Sequence, residues 1–286
     1  MVDPVTAVAI TGAAAAGKLV GSSPGQGLLS RLFGPTCDEW GQQIAAWATR
    51  RHDSATNIIE IAGELVTEED GDQPNMRVAA EVLNQGSWSE SEVSQAYLGG
   101  LLAGSRSTDG ENDSNLPFAA LINVLSTDEI LLHYVVYRTI ASEIGESDRT
   151  DSGEVQHENN FWGHKVTIPF AFWFQLVETP LSQDGMLDAL GRLNMAIGGL
   201  RRQGLLHTYY RASEEVDAYV LSPTHAGAYM FLRGHGHAGN IKDLPGFDLS
   251  MNPALDRTLA DRFSGTSDSQ PTFSLRSGAT NVGSSG

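Results

Sequence analysis

A glycine- and alanine-rich segment near the N-terminus carries the residues that most resemble an enzymatic motif. Gly12, four alanines, Gly17 and Lys18 reproduce most of a phosphate-binding loop, in which backbone N–H groups and the lysine hold phosphate oxygens. The next residue is Leu19, where the motif needs a serine or threonine hydroxyl for magnesium. No strand ending in aspartate follows to supply a second metal-binding element. We therefore expect a small-residue leader over residues 1–35, no nucleotide-binding residue and no enzymatic reaction.

Two histidines and three acids have spacings that resemble parts of metal sites. His235 and His237 form a flexible chelating pair at best, and zinc needs three or four ligands. Asp109, Glu111 and Asp113 alternate like part of a calcium loop, but the glycine at its sixth position and the distal glutamate are absent. The sequence therefore predicts neither a metal site nor a cofactor.

Composition places the chain among globular proteins: it has 286 residues, of which 41% are hydrophobic. The single cysteine, Cys37, excludes an intramolecular disulfide and is typical of a reducing compartment, so we expect a cytoplasmic protein. Two apolar stretches, residues 5–20 and 161–177, are shorter than the roughly 20 residues of a spanning helix and contain charged residues. We predict no transmembrane segment, and attachment of residues 5–20 to a membrane surface stays open.

Residues 183–242 are the most informative stretch, because they predict a winged-helix-like α+β unit. Ser182 is a candidate N-cap, and Gly204 stands where a helix C-terminus favours glycine. Between them one apolar face recurs every three or four residues. Its members are Leu187, Leu190, Leu193, Ile197 and Leu200.

Two short strands and a further helix are predicted to complete this unit. Residues 205–210 and 219–221 are rich in strand formers and flank an acidic turn. Thr224 can cap a last helix that ends at Gly234. A helix, a hairpin and a helix packed as an ordinary subdomain is the alternative interpretation.

Charge limits what such a unit could bind. The chain carries −17, and residues 183–242 are its only region that is not acidic, with five acids and six bases. A duplex-binding surface needs a clear basic footprint, so DNA is disfavoured and a protein partner is favoured. Homo-oligomer formation stays open. The candidate contact residues for nucleic acid or a partner are Arg192, Arg201, Arg202, His207 and Arg211.

The preceding part of the chain predicts a helical bundle, so the fold class is mainly α. Residues 36–145 form the helical domain, in which three helix starts have capping-box spacing. Residues 146–182 are predicted as a linker and bridging segment that includes a strand or short helix over 166–174. Residues 243–286 are predicted as a polar, largely disordered tail. The three capping boxes are Thr36-x-x-Glu39, Ser87-x-x-Glu90 and Ser126-x-x-Glu129.

Several of these capped segments share their pattern with a known family. The segments are YLGGLLAGSRSTDG at 97–110, LPFAALINVLSTDE at 116–129, and GLL followed by YVLSPTHAGAYMF within 204–231. On these segments, and on the long helix expected from residue 37, the chain resembles the abortive-infection alpha family of bacterial proteins over roughly residues 36–235. Gly99-Gly100 departs from the pattern, because it interrupts a helix that is firm in the family.

The resemblance implies a bacterial, cytosolic, mostly helical protein linked to phage defence, and it carries over no catalytic residue. We therefore predict a non-enzymatic phage-defence protein that acts through protein contacts. The alternative is a winged-helix DNA-binding transcriptional regulator. An enzyme that uses the loop at residues 12–18 is the third and least favoured hypothesis.

Overall fold

The computed structural model describes residues 37–66, 74–89, 91–147, 164–180, 182–212, 217–244, 247–255 and 272–275. Within these ranges the side chains of 37–50, 143–147, 208, 242 and 272–275 lie outside the description. The loop at residues 12–18, Cys37's side chain and the first capping box therefore lie outside the described part.

The described residues form a mainly helical structure with a small antiparallel sheet of four strands, as the fold class predicts in outline. The helices are α1 (Cys37–Glu64), α2 (Met76–Gly86), α3 (Glu92–Ala103), α4 (Leu116–Ile122), α5 (Thr127–Ser147), α6 (Phe170–Leu176), α7 (Gln183–Arg202) and α8 (His225–Gly234), with 3₁₀ turns at Ile241–Asp243 and Leu249–Met251. The strands are β1 (His164–Pro169), β2 (Leu206–Arg211), β3 (Ala218–Pro223) and β4 (Thr272–Leu275).

Contacts divide the chain into two compact units, residues 1–56 and 57–286, with the boundary inside α1. In the first unit the structure describes only helix, in which Thr56 Oγ1 donates back to the carbonyl of His52 at 2.9 Å. In the second unit, α2 to α8 and the sheet share one hydrophobic core that runs from Ile58 to Leu255. Residues from the predicted helical domain and from residues 183–242 both contribute to this core.

The sheet has the strand order β2-β3-β1-β4, and every neighbouring pair is antiparallel. The predicted hairpin is present: β2 pairs with β3 in a register that places Arg211 opposite Tyr219. β1 alternates between buried and half-buried residues, so that Val166 and Ile168 face the core. This pairing makes the hairpin part of a larger sheet instead of a free appendage.

The ends of α7 form as the sequence predicts. Ser182 Oγ accepts a hydrogen bond from the N–H of Gly185 at 3.1 Å, which satisfies one free donor of the first turn. Gly204 adopts a φ of +71°, and the N–H of Leu205 donates to the carbonyl of Leu200 at 2.8 Å. This is the closing geometry that glycine permits after a helix. The helix therefore stops where β2 must begin.

Two helix starts predicted from capping boxes have different outcomes. At α5, Glu129 accepts from the Ser126 N–H at 2.5 Å while its own N–H donates to Ser126 Oγ at 3.3 Å, which confirms that capping box. At α3 the prediction was wrong. Ser91 is the N-cap and accepts from the Ser94 N–H, whereas Ser87 follows the C-terminus of α2. Both serines suit a helix end, and spacing alone did not decide between them.

The bridging segment and the tail contain more structure than predicted. Residues 164–176 supply both a strand and a helix, β1 and α6. In the tail, β4 pairs with β1, and the buried side-chain amide of Asn252 donates to the carbonyls of Ala96 and Gly234. Leu244, Phe247 and Leu255 belong to the core. The polar composition of these residues does not indicate such contacts, and each contact partner lies far away in the sequence.

Candidate partner-binding surface

Helix α7 is held in place on its inner side by apolar packing and by α6. Leu193, Ile197 and Leu200 are fully buried. The indole Nε1 of Trp173 in α6 donates to the carbonyl of Ala189 at 3.0 Å. These contacts fix the rotation of α7 about its axis and decide which residues face outward.

Arg192, the first predicted contact residue, is committed to an ion pair within the protein. Its Nε and one terminal nitrogen bind the two carboxylate oxygens of Asp128 on α5, at 2.8 and 2.6 Å. This bidentate hydrogen bonding raises the pKa of Arg192 above its ordinary value. Arg192 therefore ties α7 to α5, and its charge is neutralised before any partner arrives.

Three of the predicted contact residues come together at the C-terminal end of α7. Arg201 Nε donates to the carbonyl of His207 at 3.3 Å, and its guanidinium lies 5.2 Å from the ring centroid of Tyr209. Arg202 is 74% exposed in its side chain and lies 3.9 Å from the carboxylate of Glu129, a long and solvated pair. These residues form a small basic and aromatic corner.

Arg211 stands apart from that corner, at the far end of β2. It binds the carboxylate of Asp217 at 2.9 Å, and its guanidinium lies 5.7 Å from the ring centroid of Phe170. The two charges of this exposed pair offset each other. Of the five predicted residues, the structure gathers Arg201, Arg202 and His207, and it separates Arg192 and Arg211 from them.

The outward face of α7 carries apolar side chains that the sequence prediction had assigned to the core. Leu187 is 60% exposed and Met195 is 68% exposed. Asp184 and Asp188 are also exposed, and between these groups the exposed Gly191 has no heavy atom within 4 Å of where a Cβ would lie. The periodic leucine pattern was correct for Leu193 and Leu200 but wrong for Leu187, because no element in the described part of the chain covers that side of the first turns.

The largest pKa shifts among the described residues belong to buried aromatic and histidine side chains. His133 Nε2 faces the carbonyl of Gly227 at 3.0 Å, and its Nδ1 lies 2.9 Å from the Tyr97 hydroxyl. A carbonyl can only accept, so Nε2 carries the proton and Nδ1 accepts from the tyrosine. Burial lowers the pKa of His133 to about 3 and that of His235 to about 4. Both rings are neutral and enclosed, and they hold α3, α5 and α8 together.

Tyr137 performs a similar role beneath the hairpin. Its hydroxyl donates to the carbonyl of Leu205 at 2.6 Å and accepts from the N–H of Thr224 at 2.8 Å. Burial raises the pKa of Tyr137 above its ordinary value. One side chain of α5 therefore joins the start of β2 to the start of α8.

Two open clefts lie in the helical part, and neither places a nucleophile beside a base. One, of about 320 Å³, is lined mainly by acids and amides such as Glu60, Glu64 and Gln95. The other, of about 410 Å³, is lined by hydroxyls, amides and apolar groups around Trp88 and has no charged residue. The described lining of the first cleft holds three carboxylates and no serine, cysteine or histidine, and that of the second holds serines with no histidine or carboxylate.

The residues considered for metal binding are occupied elsewhere. His235 is buried and its Nδ1 faces the carbonyl of Phe231, whereas His237 binds Asp243 at 2.8 Å. Asp109 accepts from Ser107 and from the N–H of Glu111 in a local turn. Among the residues that the structure describes, no group of three or more histidine, cysteine, aspartate or glutamate side chains could hold a metal ion. No helix in the described part is long and apolar enough to cross a membrane.

Comparison with models of known protein families, with characterised proteins and with solved structures gave no match. The resemblance to the abortive-infection alpha family therefore stays a prediction that rests on the residues quoted above.

Proposed function

We propose that the protein is a non-enzymatic component of bacterial phage defence and that it acts by binding protein through the outward face of α7. The phage-defence part of this proposal rests on the sequence resemblance. The protein-binding part rests on the exposed residues of α7.

The proposal includes a winged-helix arrangement, which we extend from α5 to β3, residues 127–223, in place of the residues 183–242 predicted from the sequence. The element order supports it: α5 and β1 are followed by α6 and α7, and then by the β2–β3 hairpin. β1 pairs with the second strand of that hairpin, so that these three strands lie side by side within the four-stranded sheet. In a helix-turn-helix the second helix of the pair is the reading helix. In this arrangement α7 takes that position.

The observation that carries the proposal is the chemistry of the α7 face. The N-terminal residues of a reading helix contact base edges in DNA complexes. Here those positions hold Asp184 and Asp188 with the exposed Leu187, and Met195 follows one turn after Gly191. Carboxylates repel phosphate, whereas methionine and exposed apolar groups are typical of protein interfaces. The face therefore suits a protein partner.

The test is a plaque assay on bacteria that express the whole chain. Cells with the natural sequence should resist phage, and Leu187→Ser combined with Met195→Ser should return plaque formation to the level of cells without the protein. Both side chains are largely exposed, so these changes should leave the thermal midpoint nearly unchanged.

The matched control is Val124→Ser, which removes an apolar side chain that is 63% exposed on a different surface. This variant should protect as well as the natural sequence. Protection that survives loss of both Leu187 and Met195 would overturn the proposed role of the α7 face.

DNA binding is the second candidate, and the basic corner of Arg201, Arg202 and His207 favours it. Such binding should weaken steeply with salt, because each phosphate contact releases a counterion. Fluorescence anisotropy with duplex DNA at low salt tests it, with Arg201→Ala and Arg202→Ala combined as the variant. We expect no binding, since the chain carries −17 and Glu129 lies beside Arg202 in this corner.

A further inference from the structure

The outward face of α7 is one continuous stripe along the helix. At 100° per residue, its members fall within about a third of the helix circumference. The buried face lies opposite, where Ala189, Leu193 and Leu200 pack into the core. We call this the α7 stripe, and it consists of Asp184, Leu187, Asp188, Gly191, Met195, Gly198 and Arg202.

The charges of the α7 stripe are arranged from one end to the other. The acids Asp184 and Asp188 lie in the first turns, and Arg202 lies in the last turn. This order suits the helix dipole in a single copy. It also means that an antiparallel copy of the same helix would bring acid opposite base at both ends.

The sizes of the side chains follow the same symmetry. We place the two-fold axis at the level of residue 193, between two antiparallel α7 helices. Asp184 of one copy then lies opposite Arg202 of the other, and Gly191 of one copy lies opposite Met195 of the other. Leu187 then lies nearly opposite Gly198, which is half-buried. A large side chain therefore meets a glycine on each side of the axis. Self-complementarity of this kind is what a two-fold interface requires.

We propose that the α7 stripe is the contact of a homodimer, in which two copies pack their α7 helices antiparallel about residue 193. This inference deepens the proposed function by naming a second copy as the partner of the α7 face. Charge complementarity favours this occupant, because the rest of the chain is strongly acidic and an antiparallel α7 offers both signs in the required order.

Gly191 supplies a supporting argument within the stripe. A glycine in the middle of a helix costs stability, and nothing in the fold crowds this position. By contrast, a Cβ at Gly199 would meet the carboxylate of Glu129, so that glycine is required by the packing of α7 on α5. In the proposed dimer, Gly191 provides the space that receives Met195 of the second copy.

A charge exchange tests the pairing directly, by sedimentation of the full chain over a dilution series. Asp184→Arg alone and Arg202→Asp alone each place like charges together twice per dimer, so each should weaken the dimer about ten-fold or more. The two changes combined restore opposite charges and should return the dissociation constant towards that of the natural chain. Raised salt should weaken the dimer of the natural chain, and it should reduce the differences in dissociation constant between the natural chain and the charge variants.

A steric variant gives a second, independent readout. Gly191→Leu should abolish the dimer, because the space for Met195 is filled. The matched control is Gly63→Leu on α1, another helical glycine with open space around it, which should leave the dimer intact. Thermal melts of each variant establish that the monomer fold is preserved.

Three results would overturn the inference: a chain that sediments as a monomer at every concentration, a dimer indifferent to Gly191→Leu, or a charge exchange in which the double variant fails to recover. None of these three results changes the outcome that we expect in the plaque assay. A monomer whose protection still depends on Leu187 and Met195 would refute the homodimer and leave the proposed function standing. If the chain dimerises through α7 but still protects after the dimer is disrupted, the proposed function is refuted and the homodimer stands.

Discussion

His133 and His235 show how single residues hold the interior of this protein together at the cost of sensitivity to acid. Both rings are buried and neutral: His133 forms hydrogen bonds with Tyr97 of α3 and the carbonyl of Gly227 in α8, and His235 forms one with the carbonyl of Phe231 in the last turn of α8. His235 also stacks at 6.1 Å from Tyr134, and Arg138 further lowers its pKa. Nothing in the spacing of these histidines distinguishes them from surface histidines, so this role could not be predicted from the sequence.

The stability of the fold should fall as the pH drops below about 6.5. Unfolded histidines take up protons near that pH, whereas burial holds the folded pKa values at about 3 and about 4. The unfolded state then binds more protons, so each ring costs about 1.4 kcal/mol per pH unit below 6.5 until its folded pKa is reached. Urea unfolding measured from about pH 7 to about pH 5 gives the slope.

Removal of one ring provides the control for that slope. His235→Phe keeps an aromatic group in the cluster and eliminates one titration, so it should reduce the pH slope by about half. A free energy of unfolding that is flat across this range in the natural chain would contradict the assignment of two buried neutral histidines.

Tyr137→Phe should cost about 1–3 kcal/mol of folding free energy, since it leaves the Leu205 carbonyl and the Thr224 N–H without the hydroxyl that satisfies both. Denaturant unfolding measures the loss. Tyr209→Phe removes a hydroxyl from an exposed tyrosine and should change stability little. Equal stability of the two variants would show that Tyr137 does not anchor the hairpin.

At the scale of elements, close helix contacts explain glycines that looked out of place. A Cβ on Gly100 of α3 would lie 1.8 Å from the carbonyl of Gly234 at the end of α8, and one on Gly99 would lie 2.6 Å from Ile61. The glycine pair therefore allows α3 to pack tightly on two sides. Both glycines of this helix are therefore explained by the close packing of its neighbours.

Gly100→Ala should destabilise the fold by about 1–3 kcal/mol, because the added methyl group meets backbone that cannot move aside. Gly191→Ala is the control: it adds the same methyl group where space is open and should raise stability by up to about 1 kcal/mol. Chemical denaturation of both variants decides the matter. The same sign of change in both would contradict the packing argument.

The sequence predicted those elements whose signals are local. Ser182, Gly204 and Thr224 marked the ends of α7 and α8 correctly, because a cap acts within one turn of its helix. The pairing of β1 with β3 and β4 was missed, since these strands lie far apart in the sequence. The exposure of Leu187 was also missed. The periodicity of the leucines identifies the apolar face of the helix, but it does not show how far along the helix another element covers that face.

At the scale of the whole molecule, charge and packing point in the same direction. The chain carries a net charge of −17. Within residues 183–242, Arg192 forms an ion pair with Asp128 of α5, and Arg211 forms one with Asp217, the residue before β3. The inner side of α7 packs into the single hydrophobic core of the second unit. The outer side of α7 exposes Leu187 and Met195 of the α7 stripe, which we propose as the protein-binding face.

The most direct measurement of this account is site-specific photo-crosslinking in infected cells. A benzophenone amino acid replaces Leu187 in one strain and Val124 in another, two positions of similar exposure. Irradiation should give a discrete adduct from position 187, at twice the 30.6 kDa of the chain if the partner is a second copy, and none from position 124. Identical patterns from the two positions would contradict the claim that α7 carries the partner-binding surface.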